Sequence, residues 1–213
     1  FKQGSDAFIG GSLHAVELNI EEGATVNVTK HIMNATTVNV NGALQFGGFL
    51  RTETLNVNGE MIASEKSAIK ASKVFNAEAG SRITADYINV TNEAKDATLY
   101  LKGDCQININ NKSDIYTNNI VTDNASAGQI TLNNDNAIAV IKAKKFTNNG
   151  DNQIKALATS GNNATFLLQF TESYSGTTKE KTFEDLDIAA SYLDYDKATD
   201  GKGVKEKADG PDY

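Results

Sequence analysis

Asparagine at recurring positions is the most distinctive polar feature of this chain. It stands between two apolar residues in Leu18-Asn19-Ile20, Val38-Asn39-Val40, Leu55-Asn56-Val57 and Ile88-Asn89-Val90. In an extended strand alternate side chains point to opposite sides. The amides of Asn19, Asn39, Asn56 and Asn89 are therefore expected to project outward together, as a ladder on one face. Carboxamides stacked one strand apart can hydrogen-bond to one another. The same row also offers donors and acceptors that suit sugar hydroxyls, so these four residues are the candidate ligand-binding set.

Other groups are poorer candidates for chemistry. Glycan-cleaving sites need paired acids, or clustered carboxylates with a basic partner. Arg51 and Arg82 are the only arginines, and the acidic residues Asp86, Asp96, Asp104 and Asp114 are scattered along the chain beyond them. Asp104 and Asp114 are the pair expected to approach each other on neighbouring turns of the fold. No residue is assigned a catalytic role. Asp194, Asp196, Asp200 and Gly201 resemble the start of a calcium loop, but such a loop beginning at Asp196 would need ligands at Ala198 and Lys207. His14 and His31 are expected on the surface and not as a metal pair. Cys105 is the single cysteine, which excludes an internal disulfide and a CxxC motif. No metal and no cofactor is expected.

The net charge is −7, which opposes binding to phosphate backbones, so no nucleic-acid partner is expected. Lys142, Lys144 and Lys145 form the one local basic run, which is expected to be a solvated edge because it lacks a series of aromatics on which bases would stack. No apolar run approaches the ~20 residues needed to cross a bilayer as a helix. The chain opens on Phe1 and not on Met, as expected of a mature or trimmed form.

The residues above need elements to position them, and an internal repeat supplies those. An apolar residue is followed by a small one two places on, then by an apolar one three further. The pattern fits Leu13-Ala15-Leu18, Met33-Ala35-Val38, Leu50-Thr52-Leu55, Ile69-Ala71-Val74, Ile83-Ala85-Ile88, Ile115-Thr117-Ile120 and Ile141-Ala143-Phe146. The first five anchors lie 20, 17, 19 and 14 residues apart. The 32 residues from Ile83 to Ile115 then read as two turns, with a degenerate copy near Leu101 and Gly103, and the 26 from Ile115 to Ile141 as one turn with a loop over 123–128.

Leu18-Asn19-Ile20, Val38-Asn39-Val40 and Leu55-Asn56-Val57 each run into a turn, with Gly23, Gly42 and Gly59 respectively. Weaker copies are Phe75-Asn76-Ala77 before Gly80, and Ile88-Asn89-Val90. Glycine there is expected to supply the positive φ that leaves a strand sharply. Two-residue alternation is the signature of strands. Helical repeats would need a 3.6-residue period, and leucine-rich repeats a longer leucine framework. The expected fold is all-β: a single-stranded, right-handed parallel β-helix over residues 1–157, the hand following from the preference of parallel crossovers. Eight or so turns would make a rod roughly 40 Å long.

From about Ala158 the repeat stops. Thr165–Thr171 reads as a strand and Tyr174-Ser175-Gly176 as a turn. Thr182 and Asp185 form a weak capping pair ahead of Phe183, Leu186, Ala190 and Leu193, spaced as one stripe of a helix. Residues 158–196 are expected to form a strand and helix that cap the open end of the stack. Residues 197–213 are expected to be a flexible tail.

The Asn-rich turns TTVNVNGALQFGG and TETLNVNGEMIAS resemble putative cell-surface adhesion proteins of Bacteroides-type bacteria. The segment GSRITADYINV resembles the turns of bactofilins, cytoskeletal proteins that polymerise end to end. The first resemblance implies a non-enzymatic, monomeric structural or adhesive module, secreted or held at the outer surface, with a glycan or a surface protein as ligand. The second implies a polymer-forming scaffold. A carbohydrate-active enzyme is the third alternative.

Overall fold

A computed structural model describes residues 1–64, 66–122, 129–134, 138–148, 153–158, 165–176, 186–188 and 191–195. Every regular element among them is a β-strand, and the strands pair in parallel, stacked as a β-solenoid. The first turn holds β1 (Asp6–Ile9), β2 (Leu13–His14) and β3 (Glu17–Ile20). The second holds β4 (Thr25–Val28) and β5 (Ile32–Val40), the third β6 (Ala43–Phe46) and β7 (Phe49–Val57). The fourth holds β8 (Glu60–Ala63) and β9 (Ala68–Ala77), the fifth β10 (Arg82–Val90) and β11 (Thr98–Leu101). The sixth is one long bent strand, β12 (Gln106–Thr122).

Pairing continues through β13 (Gln129–Asn134), β14 (Ile138–Asn148), β15 (Gln153–Ala158) and β16 (Thr165–Gly176), then β17 (Leu186–Ile188) and β18 (Ser191–Tyr195).

Each turn contributes three pairing stretches, so three ladders run along the stack. In the first, Val26, Leu44, Met61, Ile83 and Ile107 lie one above another. The second aligns Leu13, Ile32, Leu50, Ile69, Ile88 and Ile115. The third aligns Leu18, Val38, Leu55, Phe75, Leu99 and Ile120. These side chains point inward and, apart from the half-buried Leu13, are buried, forming one apolar core through the turns. No single turn could bury its apolar side alone, and stacking does it for all of them.

The registers correct several expectations. Leu18, Val38 and Leu55 do share a column, but Ile88 belongs to the neighbouring ladder, above Ile69. Ile32, not Met33, pairs with Leu13, because Asn34 is an extra residue held at φ 64°. Phe75, not Val74, follows Leu55, because the chain gains one residue between Ala71 and Val74. Ile83 to Ile107 is one turn of 24 residues and Ile88 to Ile115 is one of 27, so no two-turn gap and no 14-residue turn exists. The spacing i, i+2, i+5 rounds the corner between the second and third ladders at Leu50-Thr52-Leu55, but at Ile83-Ala85-Ile88 the corner is the one between the first and second ladders. The single turn from Ile115 to Ile141 is as expected. Its loop at 123–128 lies outside the described residues.

Thr165–Thr171 is a strand, but Tyr174-Ser175-Gly176 continues it and pairs with Phe146-Thr147-Asn148 instead of turning. The expected helix does not form where the chain is described. Leu186 pairs in register with Ile154, and Leu193 with Leu168, in strands parallel to their partners. An exposed strand row of the preceding turn offers these segments a full set of backbone hydrogen bonds, which outweighs the weak helical preference of so short a stripe. Thr182, Phe183, Asp185, Ala190 and the tail 197–213 lie outside the described residues.

Polar side chains close the corners between turns. The Gly48 N–H donates to Ser67 Oγ at 2.8 Å, and the Lys66 N–H donates to Asp86 Oδ2 at 2.6 Å. Asp86 is buried, so its carboxylate is held there by this backbone donor. The substitution Asp86→Ala leaves that N–H without its acceptor and should cost about 1–3 kcal/mol. A thermal unfolding midpoint unchanged from wild type would show that water replaces the carboxylate.

Candidate functional site

Two outward surfaces carry the groups able to bind a ligand. The first lies on the third ladder, where the inward residues Leu18, Val38, Leu55 and Phe75 alternate with outward asparagines. Asn39 Nδ2 donates to Asn19 Oδ1, Asn56 Nδ2 to Asn39 Oδ1, and Asn76 Nδ2 to Asn56 Oδ1, each at 2.7 Å. Asn19 Nδ2 in turn donates to Glu17 Oε1 at 3.0 Å. Asn39 and Asn56 therefore each use one N–H and the carbonyl along the stack and keep a second N–H, while Asn19 enters the row as an acceptor and Asn76 as a donor.

The ladder is Asn19-Asn39-Asn56-Asn76, and Asn89 is not part of it. Asn89 sits on the second ladder, between Lys70 and Tyr116, and its Oδ1 accepts from Thr91 Oγ1 at 2.7 Å. In the fifth turn Tyr100 stands above Asn76. The fifth turn reaches the third ladder late because residues 91–97 intervene between Val90 and Thr98. Asn92 braces that insertion through Asp96 Oδ1 (2.6 Å) and the Ser72 carbonyl (3.0 Å), while its N–H donates to the buried Asn118 (3.0 Å).

The sequence signal for Asn76 was its weaker copy of the motif, in which Phe75 and Ala77 take the places of branched aliphatic residues. Asn56 is the informative position for a test, since it both donates and accepts. Asn56→Ala breaks two amide bonds and is expected to cost about 1–3 kcal/mol, whereas Asn89→Ala should cost under about 1 kcal/mol. Equal losses from the two in thermal denaturation would contradict the register.

The second surface was not legible as a site in the sequence. On the outside of the second ladder, Phe49, Ala68 and Tyr87 form one column and Arg51, Lys70, Asn89 and Tyr116 the next. Phe49, Tyr87 and Tyr116 are 45%, 41% and 39% exposed despite their size. The His31 ring stacks on Phe49 at 5.4 Å between centroids, and its Nδ1 accepts the Phe49 N–H at 3.0 Å. The Arg51 guanidinium lies over the other ring, that of Phe49, at 5.5 Å. Alternation places these residues outside only because the intervening Leu50, Ile69 and Ile88 are drawn into the core.

The remaining candidates are dispersed. Asp104 and Asp114 belong to the same turn, before and within β12, and not to neighbouring turns; Asp114 pairs in register with Tyr87. His14 Nδ1 lies 3.2 Å from Asn34 Nδ2, so each histidine has a partner of its own. Arg82 and Arg51 are on different ladders. Lys142 follows Tyr116 in register on the second ladder, and Lys145 follows Asn119 on the third. Cys105 is buried. Asp194 lies in β18, and Asp196, Asp200 and Gly201 lie outside the described residues.

Among the described residues no group of three His, Cys, Asp or Glu side chains could hold a metal ion, and no helix is long and apolar enough to cross a membrane. Near the N-terminus the Lys2 ammonium hydrogen-bonds Glu21 at 2.9 Å, which holds the Glu21 carboxyl below its usual range and raises Lys2. Compared with protein-family models, with curated proteins and with solved structures, this chain matches none of them.

Proposed function

We propose that this chain is a non-enzymatic structural or adhesive module, secreted or displayed at a cell surface, that binds a glycan or a protein along its outer faces. The observation that carries this reading is the set of large aromatics left exposed on the second ladder while the intervening Leu50, Ile69 and Ile88 are taken into the core. Exposed aromatic groups in a rigid array are costly to keep in water and suit a binding surface. The stack makes that array rigid, because each row is tied to the next by backbone pairing and, on the third ladder, by the amide chain.

Five carboxylates among the described residues have structural partners, which supports a binding role over catalysis. Asp86 caps Lys66, Asp96 braces Asn92, and Glu21, Glu53 and Glu78 pair with Lys2, Lys73 and Lys102. A polymer-forming scaffold is the second reading. The strands β1, β2 and β3 pair only with the second turn among the described residues, leaving a row of backbone groups at that end.

An array of neutral glycans, acidic glycans and matrix proteins tests the first reading. Retained binding by wild type and reduced binding by Phe49→Ala/Tyr87→Ala is the expected result. Binding lost through Asn39→Ala/Asn56→Ala instead, at temperatures where that variant is folded, would move the site to the amide face. Concentration-dependent growth of filaments in sedimentation, with nothing bound on the array, would favour the scaffold.

A further inference from the structure

On the second ladder two cations face each other, and no carboxylate of the described residues pairs with either, although the Arg51 guanidinium rests over the Phe49 ring. Arg51 and Lys70 are direct register partners on adjacent turns, one strand spacing apart, and both are exposed. Like charges placed opposite each other destabilise a ladder. Elsewhere the chain avoids this arrangement. Lys2 meets Glu21, Lys73 meets Glu53 and Lys102 meets Glu78, each a lysine reaching a glutamate of an adjacent turn at 2.9, 2.6 and 2.7 Å. Among the described residues neither Arg51 nor Lys70 makes an ion pair, in a chain whose net charge is −7.

The surroundings of this pair are flat and aromatic. Phe49 is two residues from Arg51 on the same strand, and Tyr87 stands two turns above Phe49 with only Ala68 between them. The small Ala68 leaves a shelf between two rings, about 10 Å apart at one strand spacing per turn. Tyr116 closes the adjacent column one turn further on, above Asn89.

Building on the adhesive reading above, we infer that this strip binds an extended acidic polysaccharide, with its carboxylates on Arg51 and Lys70 and its sugar rings against Phe49 and Tyr87. A guanidinium and an ammonium are the natural partners of repeated carboxylates. Aromatic faces take up the C–H side of a pyranose ring, which an acidic peptide does not present. A polymer lying along the stack meets a new row every strand spacing, so regularly repeated carboxylates can meet both cations.

Titration calorimetry of the full chain at low salt with hexagalacturonate, cellohexaose and poly-glutamate tests this. Hexagalacturonate is expected to bind, and to weaken as salt is added. Arg51→Gln/Lys70→Gln should weaken it by about tenfold or more, and Phe49→Ala/Tyr87→Ala by a similar factor. All four side chains are exposed, so both variants should stay folded with melts near the wild-type midpoint, and Lys70→Gln alone serves if the double charge variant does not. Equal binding of cellohexaose, equal binding of poly-glutamate, or a charge variant that binds as wild type would overturn the inference. If neutral glycans or proteins bind on the array and hexagalacturonate does not, the acidic ligand is wrong and the adhesive reading stands. If nothing binds on the array either, that reading falls as well.

Discussion

Gly59→Ala is expected to destabilise the protein by about 3 kcal/mol or more, beyond the usual cost of a methyl group added to a packed site. At roughly 2–4 °C per kcal/mol for a chain of this size, the thermal midpoint should fall by about 6–12 °C. The reason is not a left-handed backbone. Positive φ is found at Gly23 (74°) and Gly80 (77°), but not at Gly59 or Gly42. A Cβ on Gly59 would instead strike the carbonyl oxygens of Asn41 and Gly42, and one on Gly42 those of Glu21 and Ala24.

These are backbone atoms of the turn below, so no side chain can swing aside, and the turns would have to part at that corner. The residues in this position from turn to turn, Ala24, Gly42, Gly59, Ser81 and Cys105, are all small, as the corner requires. Gly80→Ala provides the contrast. Nothing lies within 4 Å of its Cβ position, so only the strain of a positive φ remains. That amounts to about 1–2 kcal/mol. Circular dichroism melts of the two variants side by side decide the matter, and equal shifts would mean that close approach between turns is not what fixes Gly59.

Phe75→Ala is expected to cost about 3–5 kcal/mol, while Val74→Ala should cost under about 1 kcal/mol. Phe75 is among the largest fully buried side chains, stacked between Leu55 and Leu99 in the third ladder. Removing its ring leaves a cavity inside a narrow core whose walls are tied by strand pairing and cannot easily collapse. Val74 is a half-buried residue one place out of that column. Denaturant unfolding of both variants reads the difference directly. A larger loss for Val74→Ala would place it in the column and shift the register of the fourth turn by one residue. Unfolding of a stack can proceed by segments, so tryptic protection of the fourth and fifth turns is a useful second measurement.

The parallel stack itself was written in the residues. Leu18, Val38 and Leu55 alternate with Asn19, Asn39 and Asn56 at nearly constant intervals, and two-residue alternation with small residues at corners admits few other folds. Phase was harder to read. An inward residue, a small one and another inward residue occur at more than one kind of corner, so the pattern reports that a corner is passed and not which one. Of the two weaker copies of the motif, Ile88-Asn89-Val90 lies on the second ladder and Phe75-Asn76-Ala77 completes the amide row.

Phase is set by the extra residue at Asn34, the one between Ala71 and Val74, and the insertion at 91–97. The protein absorbs each of these locally because pairing with the turn below restores the register afterwards. The helical spacing of Leu186 and Leu193 failed for a related reason, since a waiting strand row decided their conformation.

Residue order alone therefore determined the building unit, its alternation and the inward aliphatic core. Tertiary pairing decided which turns align, and with it the juxtaposition of Arg51 with Lys70 and of Phe49 with Tyr87. Residues 17 to 38 positions apart become neighbours or near neighbours only when the length of every intervening turn is known, and that length is settled by contacts between turns and not within them.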